Sequence, residues 1–288
     1  MNNASPITIG QAIEQIRERL APAYPKREIE GFIRIIFRNL MNYETIDILL
    51  HKDSALPDFI VEKIDKVVDE LLAHCPIQYI FGNTYFHGHR FNVDRSTLIP
   101  RPETEELVDM IADENTDSDL SVLDAGTGSG CIAISLALAL RFPKVVAIDV
   151  SEQALDVARR NAEELHAKVE FLRRDMLTLS GDDGAYDIIV GNPPYIADSE
   201  RSAMDSNVID YEPATALFVP DSDPLRFYRA LAHFGRTALR SGGKLYFEIN
   251  SRFPKEMERL LTDMGYGDVE IRDDMQRLPR FAVAKKKD

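Results

Sequence analysis

Cysteine is almost missing from this 288-residue chain. The two that occur, Cys75 and Cys131, lie far apart, with no CxxC pairing and no histidine at ligand spacing. That excludes a disulfide framework and a cysteine-based zinc site, and it predicts two buried, inert thiols. Positive charge is also short: 34 Lys and Arg stand against 48 Asp and Glu, for a formal net charge of −14. Nonspecific affinity for nucleic acid comes mainly from clustered cations, so a broad phosphate-binding face is excluded and no direct nucleic-acid partner is expected. The run Lys285-Lys286-Lys287 reads as a solvated tail. No apolar stretch approaches the roughly 20 residues that cross a bilayer. The opening MNNASPITIG lacks the basic and apolar regions of a signal peptide. A cytoplasmic protein without membrane contact, monomeric, is the expectation.

With 44% apolar residues the chain has ample material for one large core or two modest ones. From residue 7 to about 75 the apolar spacing is helical: Ile13, Ile16, Leu20, then Ile29, Phe32, Ile36, Leu40, then Phe59, Ile60, Ile64, Val67, Val68, Leu71 and Leu72. Prolines 22, 25, 57 and 76 divide this region into short helices of a bundle. Between Gln78 and Ile99 aromatic and β-branched residues gather around glycines, which predicts a hairpin turning near His87-Gly88-His89. His74, His87 and His89 have no accompanying carboxylate or cysteine cluster and read as turn and surface residues, so no metal is expected. After Pro102 helices and strands alternate through strands near 121–124, 145–149, 169–172, 186–190 and 244–249. Two closing strands, near 267–272 and 280–285, have no helix between them and pair as a hairpin, so one must run against the others. The fold class is therefore α/β: a Rossmann-like, mostly parallel seven-stranded sheet with a C-terminal antiparallel hairpin, whose ligands sit at the C-terminal strand ends. Three segments follow: a helical 1–76, a β-hairpin linker 77–98, and a catalytic 99–288.

Asp124-Ala125-Gly126-Thr127-Gly128-Ser129-Gly130 joins the first strand of the alternating region to a helix, where glycines let the backbone approach a ligand and helix N–H groups face it. Asp149 ends the next strand, 19 positions after Gly130, where a carboxylate can accept hydrogen bonds from ribose hydroxyls. This suits NAD as well as S-adenosylmethionine. The GxGxG spacing and the closing hairpin favour the methyl donor. Arg173-Arg174-Asp175-Met176 ends the third strand, with an acid to bond an adenine amino group and a thioether to pack on the ring.

Asn192-Pro193-Pro194-Tyr195 ends the fourth strand, beside the position of the sulfonium. An amide nitrogen is a poor nucleophile because its lone pair is delocalised, so methylating one requires aiming it. The Asn192 side-chain oxygen and the Pro193 carbonyl can each accept one N–H of a substrate –NH₂ group. Pro193 and Pro194 stiffen the loop and remove competing donors. Tyr195 can stack on a planar amide or base. The motif alone leaves glutamine and adenine open.

Together these residues resemble the class I S-adenosylmethionine-dependent methyltransferases and, more narrowly, the HemK family of N5-glutamine methyltransferases of peptide chain release factors. The narrower resemblance rests on PIQYIFG (76–82), Phe86 to Val93, LIPRPETEELV (98–108), DAGTGSGCIA (124–133), NPPYI (192–196), YEP (211–213), DPLRFYR (223–229) and GGKLYFEI (242–249), and covers nearly the whole chain. It implies S-adenosyl-L-methionine as cofactor, with S-adenosyl-L-homocysteine as product. Gly126, Thr127, Gly128, Ser129 and Gly130 would line it, Asp149 would hold its ribose, Asp175 and Met176 would lie by its adenine, and Asn192 would border it. Asn192, Pro193, Pro194 and Tyr195 would hold the substrate, with Asn192, Pro193 and Tyr195 catalytic. The implied substrate is the glutamine of the Gly-Gly-Gln loop in class 1 release factors, with the helical 1–76 gripping that partner. Arg101, Glu103 and Glu105 would support the cofactor mouth. A ribosomal-protein glutamine and a nucleic-acid adenine are the alternative acceptors. Ala125 and Met176 depart from the family pattern, the second at a position where relatives carry an aromatic ring.

Overall fold

The structure, a computed structural model, describes residues 6–287. The first half of the MNNASPITIG segment lies outside the described residues. Contacts divide the chain into two units: the residues up to Gly82 together with Ser206–Tyr211, and Asn83–Asp205 together with Glu212–Asp288.

The first unit contains helices α1 (Ile9–Leu20), α2 (Lys26–Met41), α3 (Thr45–Leu50), α4 (Asp58–Leu72) and α5 (Ile77–Phe81), with the single turn α9 (Ser206–Ile209). Thr8 starts α1 through a capping box with Gln11. Pro25, Pro57 and Pro76 stand at the N-caps of α2, α4 and α5, where the missing N–H costs nothing. One apolar face of each long helix forms the core: Ile13, Ile16 and Leu20; Ile29, Phe32, Ile33, Ile36 and Phe37; Ile60, Ile64, Val67, Val68 and Leu71. Each such side chain contributes about 1.5–3 kcal/mol on burial. Phe59 and Leu72 depart from the periodicity reading: both face solvent, at 59% and 39% exposure, because each neighbours the buried position (Ile60, Leu71) that defines the stripe. Residues 77–81, whose aromatic and β-branched texture groups them with the hairpin, are helical instead. Ile77, Ile80 and Phe81 pack on the helical core, and Gly82 ends the helix in the left-handed region.

The second unit begins with the expected hairpin, β1 (Asn83–Phe86) and β2 (His89–Asn92). It turns on His87 and Gly88, both at positive φ. Next come α6 (Pro102–Glu114), β3 (Ser121–Ala125), α7 (Cys131–Ala139), β4 (Lys144–Asp149), α8 (Glu152–Glu164), β5 (Val169–Arg173) and β6 (Tyr186–Gly191). The segment that follows holds a small parallel pair, β7 (Ile196–Ala197) with β8 (Phe218–Val219), and the short helix α10 (Ala214–Leu217). The chain closes with α11 (Arg226–Ala238), β9 (Leu239–Glu248), α12 (Pro254–Asp263), β10 (Gly267–Asp273) and β11 (Pro279–Lys285).

Seven strands form one sheet in the order β10-β11-β9-β6-β3-β4-β5. β3, β4, β5, β6 and β9 are parallel to their neighbours in that set, and β11 runs antiparallel to both β9 and β10, as the absence of a connecting helix requires. β9 is longer than the sequence suggests. Its start at Leu239, paired with Tyr186, is disguised by Ser241-Gly242-Gly243, and the register slips before Lys244 meets Ile188. From β3 the chain steps outward to β4 and β5, then returns to β6 on the other side. This reversal opens a crevice at the C-terminal ends of β3 and β6. Apolar clusters cover both faces of the sheet, so the central strand β3 is buried throughout. Among the described residues no helix is long and apolar enough to cross a membrane.

Candidate active site

Asp124, the penultimate residue of β3, is fully buried. Its Oδ2 accepts the Thr127 hydroxyl at 2.6 Å and the Ala133 N–H at 3.2 Å. These bonds fold the glycine turn back onto the strand. The N–H groups of Gly126 and Thr127 both donate to the Ile148 carbonyl on β4. Burial pushes the Asp124 carboxyl up to about 7, against the pull of its two donors. Gly126 and Gly130 meet close neighbours: an added Cβ would lie 2.7 Å from Met176 Cε and 2.9 Å from Ile134 Cδ1, respectively. At Gly128, φ +55°, a Cβ would meet nothing within 4 Å. Gly128 therefore faces open space while Gly130 packs the start of α7 against α8.

That open space is a cavity of about 350 Å³ within the second unit. Gly126, Thr127, Gly128, Ser129, Asp149, Asp175, Met176, Asn192 and Pro194 line it, while Gly130, Pro193 and Tyr195 are not among its lining residues. Asp149 Oδ2 accepts the Gly128 N–H and Oδ1 the Ser151 N–H, both at 2.9 Å. The remaining lone-pair capacity of the carboxylate is open to a ligand. Burial raises the Asp149 pKa, and these backbone donors oppose the rise. Asp175 is exposed and caps the short turn Met176–Thr178 through Leu177 N at 2.9 Å. Val150 also lines the cavity and is 54% exposed, an apolar surface left uncovered beside the acids. Carboxylate acceptors, apolar Val150 and Met176, and a glycine whose missing Cβ leaves room suit a cationic nucleoside such as S-adenosylmethionine.

The Asn192–Tyr195 loop is stapled at both ends. Asn192 Nδ2 donates to Thr104 Oγ1 at 3.3 Å, and Thr104 donates onward to Glu248 Oε2 at 2.7 Å. Tyr195 Oη donates to the other oxygen, Glu248 Oε1, at 3.1 Å. Burial, reinforced by the Glu248 charge, pushes the Tyr195 phenol far above its ordinary range, so it remains a donor. Asn250 Nδ2 holds the Tyr195 carbonyl at 3.0 Å. Gly191, just before the loop, is tightly placed: an added Cβ would lie 3.1 Å from the Ala125 carbonyl, so the backbone would have to shift by a few tenths of an ångström.

Arg101 pairs with the buried Glu212, whose Oε2 also accepts the Ile99 N–H at 3.2 Å. The YEP and LIPR stretches thus meet across 111 positions. Glu103 accepts a bond from Gln276 Nε2 at 3.0 Å, tying the start of α6 to the β10–β11 turn. Thr104, Glu212 and Glu248 escaped assignment by sequence, although each lies in a quoted stretch. Nothing in one sequence says that Thr104 and Glu248 meet behind the Asn192–Tyr195 loop, or that Glu212 meets Arg101. Cys131 is buried and its thiol is pushed up to about 12, so it is inert. Among the described residues no cluster of three or more His, Cys, Asp or Glu could hold a metal ion.

The family model described as PrmC N-terminal domain matches residues 11–82, and the one described as Methyltransferase small domain matches residues 103–211. A release factor glutamine methyltransferase of Bacteroides thetaiotaomicron is 46% identical over 272 residues, covering 94% of this chain and 98% of that one. The chain belongs to the release factor glutamine methyltransferase family. A second relative of that name, from Flavobacterium psychrophilum, is 40% identical over 91% of this chain and 93% of its own. A solved methyltransferase from Pyrococcus furiosus superposes with a TM-score of 0.52 at 17% identity, over 70% of this chain and 91% of that one, which shows a shared fold. As a member of this family the chain is a methyltransferase, and the cavity at the β3 and β6 ends lies where open α/β sheets bind their ligands.

Proposed function

We propose that this enzyme transfers a methyl group from S-adenosyl-L-methionine to the side-chain amide nitrogen, N5, of the glutamine in the Gly-Gly-Gln loop of class 1 peptide chain release factors. The observation that carries the reading is Asn192: its NH₂ is committed to Thr104, so its oxygen is left to accept an N–H of the substrate amide. The Pro193 carbonyl takes the second N–H, and Tyr195 gives the planar amide a surface. Held by two acceptors, the nitrogen presents its lone pair to the methyl carbon. When bound, S-adenosylmethionine supplies an electrophilic methyl on a sulfonium. Asp149 would accept from its ribose, Gly126 to Ser129 would form the turn against it, and Asp175 and Met176 would border its base. No general base is needed before transfer, since the extra proton leaves the product nitrogen to water.

We assign residues 1–76 to gripping the release factor, 77–98 to linking, and 99–288 to catalysis, in the cytoplasm. The near full-length match to enzymes named for release factor glutamine supports this division of labour. The reading is tested by incubating the protein with labelled S-adenosylmethionine and a class 1 release factor, beside that factor's Gln→Ala variant at the Gly-Gly-Gln loop. Label in the first and none in the second is expected; equal label in both refutes the substrate.

A further inference from the structure

Glu248 is 1% exposed, and both its carboxylate oxygens are occupied, Oε2 by the Thr104 hydroxyl at 2.7 Å and Oε1 by the Tyr195 phenol at 3.1 Å. A carboxylate with a donor on each oxygen is purely an acceptor. Thr104 has one hydroxyl proton, and giving it to Glu248 leaves only lone pairs to offer Asn192. Asn192 can satisfy that acceptor only with its NH₂, which is the observed contact at 3.3 Å. The chain Asn192 to Thr104 to Glu248 therefore has one polarity. It fixes which end of the Asn192 amide is turned away from Thr104, on a residue that lines the cavity.

Resting on the reading of Asn192 as a substrate acceptor, we propose that Glu248 and Thr104 are positioning residues that lock the Asn192 amide with its oxygen, not its nitrogen, toward the substrate. Without them the amide can rotate by half a turn and present donors to a substrate group that is itself a donor, giving an encounter with no hydrogen bond. Tyr195, bonded to the other oxygen of the same carboxylate, ties the far end of the loop to the same anchor. Arg280 acts on Glu248 from β11, and its charge, with the Thr104 and Tyr195 bonds, opposes the upward push of burial on the Glu248 pKa.

The test compares Thr104→Val, Thr104→Ser and Glu248→Gln in the full-length protein, with release factor as substrate. Valine keeps the shape of threonine without its hydroxyl, serine restores the hydroxyl, and glutamine keeps the shape of glutamate but can donate as well as accept. Thr104→Val and Glu248→Gln are expected to lower kcat by about 10-fold or more, with the KM for release factor and the calorimetric Kd for S-adenosylmethionine within about threefold of the parent. Thr104→Ser is expected to recover most of the lost rate. In an Asn192→Ala background Thr104→Val is expected to cost nothing further, because it acts only through Asn192. Thermal unfolding of each variant identifies any that fails to fold, and the Thr104→Ser and Glu248→Gln pair carries the test if valine is not accommodated. Parent-like turnover by Thr104→Val or Glu248→Gln, failure of serine to recover the rate, or losses that multiply with Asn192→Ala would overturn the inference. Parent-like turnover by Asn192→Ala alone would instead overturn the underlying reading of that residue.

Discussion

The backbone N–H of Gly128 and the side chain of Asp149, both lining the cavity, are joined by a 2.9 Å hydrogen bond, so the residue at the tip of β4 holds the glycine turn after β3. Asp149→Ala removes both that brace and the carboxylate proposed to accept from the ribose. Charge-assisted hydrogen bonds contribute about 1.5–3 kcal/mol, so calorimetry should show S-adenosylmethionine bound about 10- to 100-fold more weakly. Unchanged affinity would remove Asp149 from the ribose.

Asn192→Ala takes away the oxygen proposed to aim the amide nitrogen. Turnover should fall by about 100-fold or more, with only a modest loss of cofactor affinity. Rate measurements at saturating release factor distinguish this from a binding defect, and a rate near that of the parent would refute the orienting role.

Much of this arrangement is legible in the sequence, and what is hidden has a physical reason. β3, β4 and β6 announce themselves through apolar runs with Asp124, Asp149 and Gly191 at or next to their C-terminal ends, because a buried parallel strand must be apolar and its C-terminal end must carry the ligand groups. Gly126 to Gly130 read as a uniform cofactor loop, yet only the structure separates Gly128, which faces open space, from Gly130, which packs on Ile134 and Ala158. Thr104 and Glu248 lie 144 positions apart, and α6 and β9 place them in contact through long-range packing that no local pattern encodes. The pairing of Arg101 with Glu212 is hidden for the same reason. Local aromatic texture also misplaced residues 77–81, where helical packing of Ile77 and Phe81 overrides strand propensity.

Glu212 is buried, with Arg101 as its cationic partner and one backbone donor at Ile99. Removing one partner of a buried pair leaves an uncompensated charge, at a cost of about 3–5 kcal/mol. Arg101→Ala should therefore lower stability by several kcal/mol in denaturant unfolding, and Arg101→Ala with Glu212→Gln should recover part of that loss. Equal stability of parent and single variant would show that the pair does not hold these segments.

Asp124 has a carboxyl pushed up to about 7 by burial, from an ordinary value of 3.8. At pH values between these two, the folded chain keeps a proton that the unfolded chain has released. Asp124 thus adds stability that is fully present below the ordinary value and is lost as the pH rises through about 7. Asp124→Asn cannot titrate, so its stability relative to the parent should improve as pH is raised from about 5 to about 8. Urea titrations of both proteins across that interval check this; a difference that stays constant with pH would contradict it.

The most direct measurement is the position of the new methyl group. After reaction of the protein with S-adenosylmethionine and a class 1 release factor, fragmentation mass spectrometry of the factor should place one methyl on the side-chain nitrogen of the Gly-Gly-Gln glutamine. A methyl group on any other residue, or an unmodified glutamine after many equivalents of enzyme, would contradict the account.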